Sequence, residues 1–249
     1  MKDFKFYKTI RANDDKVKKQ FARLHAIYNK MPSTKGCMEN LKKCKGWCCK
    51  NQTPQFLYCE FLLAWNHIQR KWSDKEILDL IEKCMINAVD ENPSKGCVFF
   101  DEKSCLCSIH KVRPLNCRIY GITPPEEFNP RYERLKEKYK DTIGAFIRPQ
   151  CDLVSTEDGS EVTVNHTNQW WAKVNEVEKN IGVPKKNIND DIDGGSYRAP
   201  HDHLILYNMP ENVVMTLAGI RMYDNWEDKI KTVKDLMQAI RAFFKRKEK

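Results

Sequence analysis

Cysteine is the residue type whose number and spacing in this chain point to chemistry. Four cysteines fall within residues 97–117, and a second group lies upstream, within residues 37–49. In chain order the two groups contain Cys37, Cys44, Cys48, Cys49, Cys97, Cys105, Cys107 and Cys117. Zinc ions and iron–sulfur clusters each take about four thiolates, drawn from loops that converge in space. The spacing therefore predicts one metal-binding unit made from both groups.

The distribution of the eleven cysteines argues against a disulfide framework. Their number is odd, and Cys48 and Cys49 are adjacent, which makes a bridge between them strained. All eleven lie between Cys37 and Cys151. Cys59 and Cys84 fall on the apolar faces of predicted helices, so we interpret both as buried core residues.

Basic residues are interleaved with these cysteines. Four thiolates around a zinc ion or a [4Fe–4S] core leave a formal charge of about −2, which nearby cations and N–H donors stabilise. The residues that could supply such counter-charge are Lys42, Lys43, Lys45, Lys50, Lys103, Lys111, Arg113 and Arg118. Part of the net charge of +9 is therefore expected to act inside the protein.

The elements that would position the thiols are mostly helices, which predicts a mainly α-helical α+β fold. Apolar residues at helical spacing predict an amphipathic helix over residues 14–31, and a second over residues 56–70. Ser73 and Glu76 form a capping box that opens a helix reaching about Val89. The cysteines from Cys44 to Cys49 are placed in loops, with Gly46 allowing a tight metal-binding turn.

Residues 97–107 predict a hairpin, with short strands at 97–100 and 105–107 around a polar tip. Downstream, strands are predicted at residues 161–164 and 204–207. Helices are predicted near residues 131–140, over 168–180, from Pro210–Glu211 and from about Trp226. An Asp- and Gly-rich segment at residues 189–195 is the best candidate for a mobile loop.

Composition and charge limit the compartment and the partners. The first residues contain no apolar segment typical of a secretory signal, and the longest apolar run, residues 61–65, is far shorter than the roughly 20 residues that span a membrane. We therefore expect a cytoplasmic protein. The basic tail at residues 241–249 could contact nucleic acid or another anionic partner, although a solvated helix end explains the same charges.

One segment resembles a known family closely. The pattern Cys44-x-Gly-x-Cys-Cys, followed by Cys97 and by Cys107-x-Ile-x-x-x-Arg-Pro-x-x-Cys-Arg, is similar to the YkgJ-type cysteine-cluster family, described as zinc- or iron-chelating proteins. Flagellin lysine N-methylase carries a similar cysteine module. The resemblance covers roughly residues 37–151.

The resemblance implies a set of metal ligands. Carried over by position, they are Cys44, Cys48, Cys49, Cys97, Cys107 and Cys117, with Cys37 as the leading and Cys151 as the trailing cysteine. The chain departs from the family at three points. The gap between Cys37 and Cys44 is longer than usual, His110 replaces a tyrosine, and Cys105 is additional. The eight ligands suffice for two four-thiolate sites, or for one site with exchangeable thiols.

The predicted function is metal binding, with an iron–sulfur cluster of the [4Fe–4S] type favoured over zinc and a redox or enzymatic role. The alternative is a non-catalytic structural-zinc module that binds nucleic acid or a protein through its basic surface. His166, His201 and His203 could line a pocket, but positions at helix or strand starts favour structural roles for them. No Gly-x-Gly-x-x-Gly nucleotide loop is present.

We divide the chain into three parts on this basis. Residues 1–36 are expected to form an N-terminal helix packed on the core, and residues 37–151 the cysteine-cluster domain. Residues 152–249 are expected to form a C-terminal α/β extension that ends in the basic tail.

Overall fold

The structure is a computed structural model of the chain. It describes residues 14–37, 39–90, 96–138, 140, 150–183, 198–209 and 211–247. Eleven α-helices and four short strands occur in these ranges, which confirms the mainly helical α+β fold. The helices are α1 Asp15–Tyr28, α2 Leu41–Cys44, α3 Trp47–Asn51, α4 Tyr58–Lys71, α5 Asp74–Val89, α6 Leu115–Ile119, α7 Pro125–Lys138, α8 Val164–Ile181, α9 Pro200–Asn208, α10 Glu211–Arg221 and α11 Trp226–Lys247.

The strands pair into two antiparallel sheets of two strands each. Strand β1, Thr34–Lys35, pairs with β4, Ser155–Thr156, across a large sequence separation. Strand β2, Phe100–Asp101, pairs with β3, Leu106–Cys107, and forms the predicted hairpin with narrower bounds.

Helix α4 lies at the centre of the hydrophobic core. Every residue from Tyr58 to Trp65 is buried, so this part of the helix is covered on all sides by the rest of the protein. Helices α1, α8 and α9 pack against it. In α1 the predicted stripe of Val17, Phe21, Leu24 and Tyr28 is buried, and Asp14 caps the first turn.

The predicted start of helix α5 is confirmed, with Ser73 as its N-cap. The Ser73 hydroxyl accepts a hydrogen bond from the Glu76 N–H, while the Glu76 carboxylate accepts one from the Ser73 N–H at 2.7 Å. Cys84 is buried on the inner face of α5, and Cys59 is buried in α4, as predicted for core thiols. Helices α9, α10 and α11 pack against α5.

Three local predictions were wrong. Residues 204–207 lie in α9 and not in a strand: four consecutive apolar residues fit a buried strand or helix equally, and Pro200 at the first helical turn favours the helix. Residues 161–163 are irregular, and Val164 begins α8. The cysteines from Cys44 to Cys49 lie largely in the short helices α2 and α3, not in loops.

The candidate mobile segment, residues 189–195, lies outside the described residues. Within the described ranges, no helix is both long enough and apolar enough to cross a membrane.

Candidate metal centre

The leading and trailing cysteines are brought together by the β1–β4 pairing. Thr34 pairs with Thr156 and Lys35 with Ser155, so the chain after β1 lies beside the chain before β4. Gly36 has a φ of 101°, and a Cβ built on it would come within 1.8 Å of the Leu153 carbonyl oxygen. Only glycine permits both this conformation and this approach. Cys37 and Cys151 therefore lie on adjacent segments.

A left-handed turn separates Cys44 from Cys48 and Cys49. Lys45 and Gly46 have φ values of 49° and 66°, which end α2 and begin α3. A Cβ on Gly46 would lie 2.7 Å from the Cys105 carbonyl oxygen and 2.5 Å from the Phe100 ring. The predicted tight turn is thus present, and it packs on the β2–β3 hairpin.

Backbone contacts join the second cysteine group to the first. The Cys97 N–H donates a hydrogen bond of 2.8 Å to the Cys49 carbonyl oxygen. The Phe100 N–H donates to the Cys97 carbonyl oxygen at 3.0 Å, and Phe100 pairs with Cys107 in the hairpin register. The main chain therefore links Cys97 directly to Cys49, and to Cys107 through Phe100.

Cys117 lies in the short helix α6, which positions its thiol. Pro114 precedes this helix and ends the 3₁₀ turn at His110–Val112. Arg118 fixes the turn, because its Nε donates to the Arg113 carbonyl oxygen at 2.9 Å and a terminal nitrogen donates to the Lys111 carbonyl oxygen at 3.0 Å. The Arg118 guanidinium also lies 4.1 Å from the centre of the Tyr28 ring.

Six of the thiols proposed as ligands lie near enough to Cys48 for its charge to act on them: Cys37, Cys49, Cys97, Cys107, Cys117 and Cys151. The Cys48 and Cys49 sulfurs are 4.0 Å apart. The hydrogen bond from Cys49, together with backbone N–H groups and Arg113, lowers the pKa of Cys48 to about 7. The same hydrogen bond and burial raise the pKa of Cys49, which keeps its proton. A Cys48 thiolate also raises the pKa of Cys37, Cys97, Cys107, Cys117 and Cys151.

Burial is the largest cause of the other thiol shifts. It raises the pKa of Cys97 to about 12 and that of Cys107 to about 11, with the neighbouring thiols adding to it for Cys97. It also raises the pKa of Cys117 well above its ordinary value, and those of Cys37 and Cys151 to a smaller extent. Such thiols ionise at neutral pH only with a compensating cation, and a bound metal is the strongest one available.

Arg113 is the cation that acts on both cysteine groups. Its charge lowers the pKa of Cys37, Cys48, Cys107 and Cys117. One terminal nitrogen donates to the Thr34 hydroxyl at 3.2 Å. The Arg113 Nε is buried and makes no hydrogen bond to any of the described residues.

His110 accepts a hydrogen bond from Arg113 and so helps to position its guanidinium. A terminal nitrogen of Arg113 contacts the His110 Nε2 closely. Burial, followed by the charge of Arg113, lowers the pKa of His110 to about 4, so the neutral ring accepts this hydrogen bond. The geometry favours a positioning role for His110 over a ligand role.

Several candidates fall outside this group of thiols. Cys105 lies at the hairpin tip with a φ of 56°, and its sulfur contacts the Glu102 carbonyl oxygen at 3.6 Å. His166 forms a capping box with Thr163 at the start of α8. His203 is buried and contacts the Phe56 carbonyl oxygen at 2.9 Å. His201 is buried in the first turn of α9.

Two buried carboxylates were missed by the sequence analysis. Glu60 binds the start of α6, and Glu178 accepts hydrogen bonds from the Tyr58 and Cys59 N–H groups at 3.0 and 2.6 Å. Glu60 follows the start of an otherwise apolar helix, where acidic residues are favoured, and this signal could have been used. No comparable signal marks Glu178, which caps α4 from α8.

Two open clefts of about 540 and 670 Å³ lie elsewhere. The smaller runs between the starts of α7 and α8, and the larger lies between the end of α1 and the first turns of α8. Neither is lined by a cysteine. They do not form part of the thiol site.

The thiols differ in arrangement from a preformed single-ion site. Among the residues that the structure describes, no three Cys, His, Asp or Glu side chains are grouped so as to hold one metal ion. The donor set is nevertheless soft, rich in thiols and accompanied by the half-buried Arg113. These are the properties of sites for zinc and for iron–sulfur clusters.

Comparison with known families agrees with this donor chemistry. Residues 36–142 match the family CxxCxxCC, described as "Putative zinc- or iron-chelating domain". This segment is therefore similar to CxxCxxCC domains. This confirms the resemblance drawn from the cysteine pattern and supports metal binding. The match includes every proposed ligand except Cys151. No curated protein and no solved structure matches the chain significantly.

Proposed function

We propose that this protein binds an iron–sulfur cluster, with [4Fe–4S] favoured, and has a redox or enzymatic role. The proposed ligands are Cys37, Cys44, Cys48, Cys49, Cys97, Cys107, Cys117 and Cys151. The observation that carries the proposal is that separate segments bearing these thiols contact one another: the Cys97 N–H donates to the Cys49 carbonyl oxygen at 2.8 Å, and the β1–β4 pairing places the segments of Cys37 and Cys151 side by side.

The spacing of the thiols favours a polynuclear cluster over a zinc ion. Four thiolates around one zinc ion lie about 3.8 Å apart, as Zn–S bonds of about 2.3 Å in a tetrahedron require. In a [4Fe–4S] cluster each iron binds its own cysteine, so the thiolates lie further apart. The Cys48 and Cys49 sulfurs, 4.0 Å apart, are close enough to share one zinc ion. Among the described residues, however, no third donor is grouped with such a pair to hold one ion, which fits the second case better.

Arg113 would act on such a cluster through charge and hydrogen bonding. When bound, the cluster supplies a centre that can accept and release an electron. A half-buried guanidinium beside thiolate ligands stabilises the more negative, reduced state and raises the reduction potential. The free Nε–H is the donor that this role needs.

Elemental analysis of the anaerobically purified protein tests the proposal. Iron, zinc and acid-labile sulfide are quantified per chain, and absorption spectra are recorded before and after dithionite. Matched iron and sulfide, with a visible band that dithionite bleaches, is the expected result. Colourless protein that holds zinc and unfolds with a chelator would instead establish the structural-zinc alternative.

Two cysteine variants distinguish a proposed metal ligand from a cysteine that is not expected to bind metal. Cys97→Ser is expected to lose metal, because this thiol lies in the coupled group and contacts Cys49 through the backbone. Cys105→Ser is the matched control from the same hairpin, and it is expected to keep the metal content of the wild type. Equal metal content in both variants would contradict the proposed ligand set.

A further inference from the structure

We propose that the eight thiols form two metal centres: an outer one from Cys37, Cys44, Cys48 and Cys151, and an inner one from Cys49, Cys97, Cys107 and Cys117. This inference rests on the proposed metal binding and extends it to the number of centres, their ligands and their order of release.

Backbone contacts hold the outer thiols together. The Asn40 side-chain amide donates to the Gly36 carbonyl oxygen at 2.9 Å and contacts that of Leu153 at 3.5 Å. The Cys44 N–H donates to the Asn40 carbonyl oxygen at 2.9 Å. Asn40 therefore joins the segment that ends in Cys37, the segment that follows Cys151 and the helix that ends in Cys44.

The electrostatic contacts of the outer thiols follow the same division. Cys37 interacts with Cys44, Cys48 and Cys151, and Cys151 interacts with Cys44 and Cys48. Cys37 and Cys151 thus lie near one another, and each lies near both Cys44 and Cys48.

A different group of contacts holds the inner thiols. The Cys97 N–H bonds to the Cys49 carbonyl oxygen, and the hairpin register links Cys97 to Cys107 through Phe100. Cys49 and Cys117 each interact electrostatically with both Cys97 and Cys107. Cys97 and Cys107 also interact with one another.

The two sets meet at the consecutive residues Cys48 and Cys49. Their sulfurs are 4.0 Å apart, and Cys48 is the outer thiol that interacts with all four inner ones. Adjacent cysteines on α3 can in this way serve two neighbouring centres, one each. Cys37 makes one further interaction across the boundary, with Cys107.

Packing makes the two centres unequal. Three of the four inner thiols lie in or against the hydrophobic core, since Cys97 belongs to it and Cys49 and Cys107 pack against it. Among the described residues, Cys117 and the four outer thiols are neither in that core nor packed against it. A chelator should therefore remove metal from the outer centre first.

Native mass spectrometry of the anaerobically purified holoprotein tests this inference. The wild type is expected to carry two centres, resolved by mass, and to lose one before the other as EDTA is added. Cys151→Ser and Cys117→Ser should each retain one centre, at about half the wild-type metal content. The Cys151→Ser variant keeps the inner centre and should lack the part that EDTA removes early. The Cys105→Ser control should retain both.

The outcomes separate this inference from the proposed function. Wild-type protein with a single centre, or loss of all metal in both variants, overturns the two-centre arrangement while leaving metal binding intact. Protein with no metal, which also takes up none on anaerobic incubation with Fe²⁺ and sulfide or with Zn²⁺, overturns the proposed function itself. If Cys117→Ser does not fold, as judged by circular dichroism, Cys49→Ser replaces it.

Discussion

The Glu60 carboxylate accepts a hydrogen bond of 2.6 Å from the Leu115 backbone N–H, two residues before Cys117. Glu60 is buried in α4, and it also accepts hydrogen bonds from the Tyr28 hydroxyl at 2.6 Å and the Leu57 N–H at 3.0 Å. Burial raises the pKa of Glu60, and these donors oppose that rise. One carboxylate thus joins α1, α4 and the start of the helix that presents a proposed ligand.

Replacing Glu60 should affect both stability and metal binding. In Glu60→Gln the amide cannot accept from all three donors, which leaves a buried donor unpaired and lowers the free energy of unfolding by about 2–3 kcal/mol. Urea unfolding measures this loss. Metal content should fall as well, because α6 loses its anchor next to Cys117.

Tyr28→Phe is the matched control for Glu60→Gln. It removes one donor but keeps the ring under Arg118, so the loss should be smaller, about 1–2 kcal/mol. Wild-type stability and metal content in Glu60→Gln would show that the carboxylate has no anchoring role.

Gly36→Ala should disrupt the approach of Cys37 to Cys151. The added Cβ would meet the Leu153 carbonyl oxygen at 1.8 Å, at a φ that side chains disfavour, and backbone atoms cannot move aside cheaply. We expect a loss of at least about 2 kcal/mol in urea unfolding and a lower metal content.

Gly219→Ala provides the control for that substitution. Nothing lies within 4 Å of its added Cβ, and the residue is within helix α10, so alanine should raise stability by about 0.5–1 kcal/mol. A tolerated Gly36→Ala variant with full metal content would refute the close β1–β4 approach.

The sequence carried enough signal to predict the helices with strong local patterns. The Ser73 capping box and the apolar stripe of α1 depend only on neighbouring residues, and both predictions were confirmed. The apolar run at residues 204–207 carries no periodicity, and tertiary packing against α5 accompanies its helical form.

Identifying the candidate thiols was easier than predicting how they are grouped. The close spacing of the cysteines and the family resemblance identified the eight candidate ligands. Their role as ligands stays a prediction. Their grouping depends on the β1–β4 pairing, whose two-residue strands are too short to show alternation. The cap that Glu178 provides to α4 is equally non-local, since the two residues it binds lie 119 and 120 positions away.

Arg113→Gln should make Cys48 less reactive in the metal-free protein. The hydrogen bond from Cys49 is the main cause that lowers the pKa of Cys48, and Arg113 adds to it. Removing the guanidinium charge raises this pKa, so less thiolate is present at pH 7 and alkylation by iodoacetamide slows several-fold. Mass spectrometry of digested protein follows alkylation at Cys48 specifically.

Two further variants show whether charge explains that effect. Arg113→Lys keeps the charge and should restore much of the rate. Arg241→Gln removes a distant guanidinium that pairs with Asp79 and Glu82 at 2.8 and 2.7 Å, and it should leave the rate unchanged. Equal slowing in Arg113→Gln and Arg241→Gln would point to net charge instead of the local contact.

His203 should make the protein lose stability in acid. Its ring contacts the Phe56 carbonyl oxygen at 2.9 Å, and since a carbonyl only accepts, Nε2 carries the proton. Nδ1 is buried without a hydrogen-bond partner in the described part of the chain. Burial, with smaller effects from the nearby Arg198 and His201, lowers the pKa of His203 to about 4.

The sign of this pH dependence follows from proton binding. Below the ordinary pKa of 6.5 the unfolded chain protonates His203, whereas the folded protein does not until the pH approaches 4. The stability due to the neutral ring is therefore complete above pH 6.5 and is lost between pH 6.5 and 4, by up to about 3 kcal/mol. Urea unfolding of the metal-free protein across this range measures it without a contribution from metal release.

His203→Phe removes the titrating group and keeps an aromatic ring against Phe61, on which His203 stacks at 5.3 Å. The variant should start about 1 kcal/mol less stable at pH 7, because the bond to Phe56 is lost. Between pH 6.5 and 4 its free energy of unfolding should fall less steeply than that of the wild type. Parallel pH profiles for the two proteins would mean that His203 is already protonated, or exposed, in the folded state.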